Sequence, residues 1–124
     1  MLVQRVAQIF GVVFLLVGLL GLVTTPLNLR GGLLLGLFPV NVLHNLVHLA
    51  FGVWGLMAGR SVDGARQYCQ VSGVIYLVLT LVGFVSPTTF GLIPIGSHDL
   101  WLHAVLGGVL VIVGYGLART PARA

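Results

Sequence analysis

Five residues in this chain are of the types and spacing that do chemistry together. His44, Asn45 and His48 open one apolar run, and Asp99 and His103 open another. The two histidines of the first run are four residues apart, as are the aspartate and histidine of the second. On helices, each pair therefore shares a face. A neutral imidazole is at once a hydrogen-bond donor, an acceptor and a metal ligand. A carboxylate beside it can orient one ring nitrogen or bind the same ion.

Three readings follow from these residue types. In the first, the five side chains form a hydrogen-bonded polar cluster that fixes helix register, and the protein has a structural or interaction role. Asp99 would then accept from His103 or sit at the positive end of its helix. We take this as the working reading, because buried polar groups commonly satisfy one another. In the second, His48 and His103 face each other and hold a ligand. That ligand is either a b-type haem, with Asn45 or Asp99 behind the histidines and Gly52 and Gly107 leaving room one turn below, or a divalent metal held by His44, His48, His103 and Asp99. In the third, His48, His103 and Asp99 line the path of a small transporter or proton relay. Four short helices leave little room for alternating access, so that reading needs an oligomer.

Hydrolytic chemistry has no support. There is no HExxH and no G-x-S-x-G. The only two carboxylates are Asp63 and Asp99, which fall in different parts of the chain. No catalytic residue is assigned.

The solvent that these residues imply is lipid. Of the 124 residues, 58% are hydrophobic and 6% are charged, and mean hydropathy is +1.12. A soluble domain carries about 25% charged residues. The net charge is +4, but Arg5, Arg30, Arg60, Arg66, Arg119 and Arg123 are scattered, so no nucleic-acid footprint is present. The partners expected are the bilayer, and either a second copy or another membrane protein. Cys69 is the single cysteine; no intramolecular disulfide can form, and a small apolar filler is the expected role.

Four membrane-spanning helices are predicted, over about 6–25, 42–59, 68–85 and 99–118, in a single domain of residues 1–124. Twenty helical residues cover about 30 Å, the thickness of the hydrocarbon core. No small-x-small cleavage pattern follows the first span, so a retained helix is expected rather than a signal peptide. The connector from Thr25 to Val40 contains Pro26, Gly31, Gly32 and Pro39 and breaks the helix. Its apolar piece, Leu33 to Phe38, is too short to span and reads as interfacial or re-entrant. Asn41 can cap the second helix, which places His48 about 10 Å along it. Gly52, Gly55 and Gly59 lie near one face of that helix and, with Gly107 on the fourth, provide surfaces for close helix packing. Arg60 to Gln67 reads as a polar loop, and Thr88 to Ser97 as a second long connector. Trp54, Trp101, Tyr68, Tyr76 and Tyr115 read as interface anchors or core packing. The arginines concentrate at the N-terminus, the middle loop and the tail, which puts the termini on the cytoplasmic side and the histidine-bearing helix ends on the outer side.

The chain also aligns with itself. Gly11 to Val23 lies over Gly73 to Val85 at an offset of 62, with six identities in thirteen positions. Gln8 falls on Gln70 at the same offset. Pro39, His48 and Gly52 fall on Pro94, His103 and Gly107 at an offset of 55. The expected architecture is therefore an all-α, four-helix bundle made of two repeated helical hairpins.

The pattern N-x-x-H-N-x-x-H-x3-G (Asn41, His44, Asn45, His48, Gly52), followed by D-x3-H-x3-G (Asp99, His103, Gly107), resembles the small bacterial membrane proteins grouped as domain-of-unknown-function family 4383. So does the leading G-V-V-F-L-L-x-G-x-x-G from Gly11 to Gly21. The resemblance covers nearly the whole chain. It implies four transmembrane helices and a place in the bacterial cytoplasmic membrane, and brings no activity, substrate or cofactor.

Overall fold

The computed structural model describes residues 1–116. Arg119, Pro121, Arg123 and the expected end of the fourth helix at 118 lie outside the described residues. Four α-helices run in sequence: α1 (Leu2–Thr24), α2 (Val42–Ala58), α3 (Val62–Val85) and α4 (His98–Val111). A single π-helical turn, Ile112–Gly116, continues α4. The α1, α3 and α4–π segments are long and apolar enough to cross a membrane, while α2 is a shorter apolar helix of 17 residues. Only 28–33% of the best window in each of the three spans is buried inside the protein. The outward faces carry Ile9, Leu16, Leu81, Phe84 and Val105, so the outer surface is oily and lipid matches it.

Two expectations need correction. Residues Gly32–Leu34 and Phe38–Val40 form an antiparallel β-hairpin, β1 and β2, with Leu34 opposite Phe38. The fold is thus mostly rather than purely helical, and the segment from Leu33 to Phe38 lies within this hairpin. Its turn places Leu35 and Gly36 at φ 54° and 71°, and the Leu37 amide donates to the Leu34 carbonyl at 3.1 Å. The polar loop of Arg60 to Gln67 is also shorter than read. Ser61 caps α3, its hydroxyl accepting from the Gly64 amide at 3.0 Å. Asp63 stands in the first turn, where the helix dipole favours it. Polar residues there mark the first turns of a helix rather than a break.

The helices pack as two close pairs, α1 with α2 and α3 with α4. Glycine creates both contacts. A Cβ on Gly52 would come within 2.9 Å of the Gly11 carbonyl, and one on Gly107 would meet the Gly73 carbonyl at 3.1 Å. Gly55 rests on Ala7 and Gly11, and Gly59 on Gln8. Each of the four glycines named from the sequence thus lies where a neighbouring helix approaches closely. At one end of the pairs Gln8 donates its amide to the Gly59 carbonyl at 3.2 Å, and Gln70 donates to the Gly114 carbonyl at 2.9 Å. The core between the pairs is aromatic: Phe14, Tyr68 and Tyr76, with Cys69, Leu110 and Val113. Cys69 is fully buried, in keeping with a filler.

Asn41 organises the opposite end. Its side-chain oxygen accepts from the His44 amide at 2.8 Å, capping α2 as expected. Its amide nitrogen donates to the Leu29 carbonyl at 3.1 Å and to the Leu92 carbonyl at 2.7 Å. One buried side chain thus joins the helix start to both long connectors.

Candidate functional site

Just inside that cap, α2 and α4 bring four of the five named side chains together. His44, His48, Asp99 and His103 are respectively 3%, 8%, 2% and 3% exposed. The His44 ring lies 4.5 Å from the His48 ring and 6.0 Å from the His103 ring, centroid to centroid. One ligating atom from each of the three histidines falls within 4.8 Å of the others. His44 Nδ1 stands 4.0 Å from Asp99 Oδ2, beyond hydrogen-bond length. Aromatic walls flank the group: Phe14 stacks on His48 at 5.8 Å, and Tyr76 tilts against His103 at 5.0 Å.

Assembly and satisfaction are different matters here. His44 Nδ1, His48 Nδ1, His103 Nδ1 and Asp99 Oδ2 are all buried, and none has a hydrogen-bond partner among the described residues. An unpaired buried polar atom costs about 1–3 kcal/mol. Four in one small space do not make the mutually bonded cluster expected from the sequence.

Asn45 is not part of the group. Its side chain turns to α1, where its amide donates to the Thr25 hydroxyl at 3.4 Å and fills the space left by Gly21. Adjacent helical residues point about 100° apart, so a residue beside His44 in sequence need not face the same way. Gly52 and Gly107 do not open room for haem, because the backbones of α1 and α3 occupy it. His98 lies outside the cluster; its Nδ1 accepts from the exposed Trp101 ring nitrogen at 3.0 Å.

Two aromatic residues wall the site: Tyr76, which the sequence reading left as an anchor or core residue, and Phe14, to which it gave no role. The signal was present, since they are paired by the offset of 62.

Two cavities adjoin the cluster. A small one of about 30 Å³ lies towards Phe51, Tyr76, Leu79 and Ile95. A larger one of about 240 Å³ lies between α1 and α4 under the β-hairpin, and reaches His48, Asp99 and His103.

The model of the family described as a domain of unknown function, DUF4383, matches residues 4–116. The chain belongs to that family. The match runs from the first turn of α1 to the end of the π-turn, so it takes in every residue of the site. No curated protein and no solved structure matches the chain. For this DUF4383 protein, function has to be argued from the site itself.

Proposed function

We propose that this protein is a four-pass protein of the bacterial cytoplasmic membrane that binds a divalent transition metal ion, held by His44, His48 and His103 with Asp99. The carrying observation is the convergence of three buried imidazoles whose ligating atoms lie within 4.8 Å of one another, together with the unpartnered nitrogens and carboxylate oxygen. On a tetrahedral ion with bonds of about 2.0–2.1 Å, imidazole nitrogens sit about 3.3 Å apart. Small side-chain rotations would close the difference. Asp99 supplies a negative charge, which a buried cation needs. His44 lies beside the backbone of Pro39 and Pro94, whose carbonyls can accept the N–H that a metal-bound imidazole turns outward. Imidazole with one carboxylate suits zinc, copper, nickel or iron. We assign the site binding rather than catalysis.

A structural cluster, the reading preferred on sequence, would call for mutual hydrogen bonds, and the geometry offers none within the group. Haem would need space for a macrocycle beside the histidines, where the two cavities are about 30 and 240 Å³.

We further propose that the chain is a duplicated hairpin with both termini cytoplasmic. Contacts that correspond at the two offsets support this: Gln8 with Gly59 and Gln70 with Gly114, Gly11 with Gly52 and Gly73 with Gly107. The arginine distribution supports the orientation.

The test of the metal reading is a titration in detergent. Protein stripped with chelator should take up one equivalent of Co²⁺ or Zn²⁺, measured by elemental analysis after gel filtration. His48→Ala and His103→Ala should each abolish uptake, while Gly108→Ala, where an added Cβ meets nothing within 4 Å, should leave it unchanged. Wild-type protein that retains no ion would overturn the proposal.

A further inference from the structure

The two cavities beside the histidines correspond to each other residue by residue. Each residue named for the smaller, at the repeat offsets, has its counterpart in the larger. At four of those pairs the larger side chain stands on the closed side. Tyr76, Leu79, Ile95 and Phe51 on the closed side stand where Phe14, Val17, Val40 and Leu106 stand on the open side. Only at Val47 against Leu102, and at Ile93 against Phe38, is the order reversed. The open side is also roofed by Leu34 and Leu35 of the β-hairpin, in a connector seven residues longer than its counterpart. One of two equivalent slots is filled and the other is kept.

The kept slot is oily along its walls and polar at its inner end. Its mouth includes Val13 and Leu35, which are exposed on the surface assigned to lipid. Its end is formed by His48, Asp99 and His103, each more than nine-tenths buried and each with an unpartnered polar atom. A volume of about 240 Å³ is many times the roughly 10–15 Å³ that one water needs on the same measure. Charge selects the head group. A divalent ion beside one carboxylate leaves one positive charge in apolar surroundings, which an anionic oxygen ligand would neutralise.

We infer that the cleft between α1 and α4 admits a single-chain amphiphile from the bilayer, of the fatty-carboxylate class, with its chain between the helices and its oxygen head at the His48–Asp99–His103 end. The inference rests on the metal reading for the charge of the head group. A neutral or cationic lipid would enter the same oily walls without a partner for its head.

The test uses a medium-chain fatty acid carrying a diazirine near its tail, photolysed with the full-length, ion-loaded protein in lipid nanodiscs, with cross-links mapped by mass spectrometry. Labels should concentrate on Val13, Val17 and Leu106 over the lipid-facing Ile9 and Leu16, and the matching alcohol should lose that preference. The double variant Val17→Leu, Leu106→Phe moves the open side towards the sizes of the closed one and should bring labelling of the cleft down to the level at Ile9. The reverse pair, Leu79→Val with Phe51→Leu, should raise labelling at Tyr76. Metal uptake is measured on the same samples. Labels spread evenly over the lipid-facing surface while the ion still binds would overturn the inference and leave the metal reading intact. Cleft labelling without ion uptake would overturn the metal reading, and loss of the carboxylate preference would follow from it.

Discussion

The ring of Phe14 lies flat against the ring of Tyr76, with centroids 5.5 Å apart and planes 10° apart. The two residues occupy corresponding positions in α1 and α3, and each faces its own histidine, His48 or His103. The stack is therefore where the two helix pairs meet, directly behind the metal-binding candidates. Replacing either ring by alanine should cost about 3–5 kcal/mol, the range for large aromatic deletions in cores. Tyr76→Phe should behave differently. The Tyr76 hydroxyl is buried without a partner, so its removal should leave the thermal midpoint in detergent unchanged or raise it. A clear drop would mean that the hydroxyl has a partner in solution.

Glycine contacts should divide sharply by what an added methyl would meet. At Gly52 the nearest atoms include the Leu15 amide nitrogen at 2.7 Å and the Gly11 carbonyl at 2.9 Å. Backbone cannot yield as a side-chain tip can, so Gly52→Ala should destabilise by at least about 1–3 kcal/mol, the usual cost of overpacking. Gly108→Ala meets nothing and should gain slightly from helix propensity. Equal midpoints for the two variants would refute the packing role of Gly52.

The two glutamine bonds offer a finer comparison. Gln70 alone among the side chains shown reaches the Gly114 carbonyl, whereas the Gly59 carbonyl accepts from both Gln4 and Gln8, each at 3.2 Å. Gln70→Ala should cost about 1 kcal/mol. Gln8→Ala should cost less, and the double change Gln4→Ala with Gln8→Ala more than the sum of its parts. Denaturant titration of the variants reads both effects.

Asn45 and Asp99 should separate stability from binding. Asn45 joins α2 to α1 through Thr25, so Asn45→Ala should lower the thermal midpoint and leave metal uptake intact. Asp99→Asn keeps the shape and removes the charge, and should weaken uptake by roughly 10–100-fold, as loss of supporting groups at metal sites does. Affinity in the wild type should fall as the solution is made acid, since protons compete with the ion for imidazole nitrogens. An ion held as tightly by Asp99→Asn as by wild type would remove the carboxylate from the site.

Topology can be tested with the single native cysteine. Cys69 is buried and should resist a membrane-impermeant maleimide until the protein is denatured. In a Cys69→Ala background, Thr88→Cys should label from outside intact spheroplasts and Ser61→Cys only after lysis. The reverse pattern would invert the proposed orientation.

Much of this arrangement could be read from residue order. The spacing gave His44 with His48, and Asp99 with His103, a shared helix face each, because a four-residue interval on a helix is a shared face, and the self-alignment set the two pairs opposite each other. The β-hairpin could not be read in this way. Its strands are three residues each and show no alternation, and its turn asks a leucine, Leu35, to take positive φ, a conformation for which leucine carries no signal. Asn45 was misassigned because adjacency in sequence is not adjacency around a helix. That the clustered groups leave one another unbonded depends on side-chain rotation, which spacing does not encode.

The three hydrogen bonds of Asn41 have a mechanical consequence. The depression of about 320 Å³ between the two long connectors ends on this residue, and the same amide clasps the Leu29 and Leu92 carbonyls. Prising the connectors apart would break the cap of α2 at the same time. Beside the bond from the Val42 amide to the Asn28 carbonyl, this one side chain ties the start of α2 to both connectors. A ligand of the kind proposed would then enter sideways, through the cleft between α1 and α4.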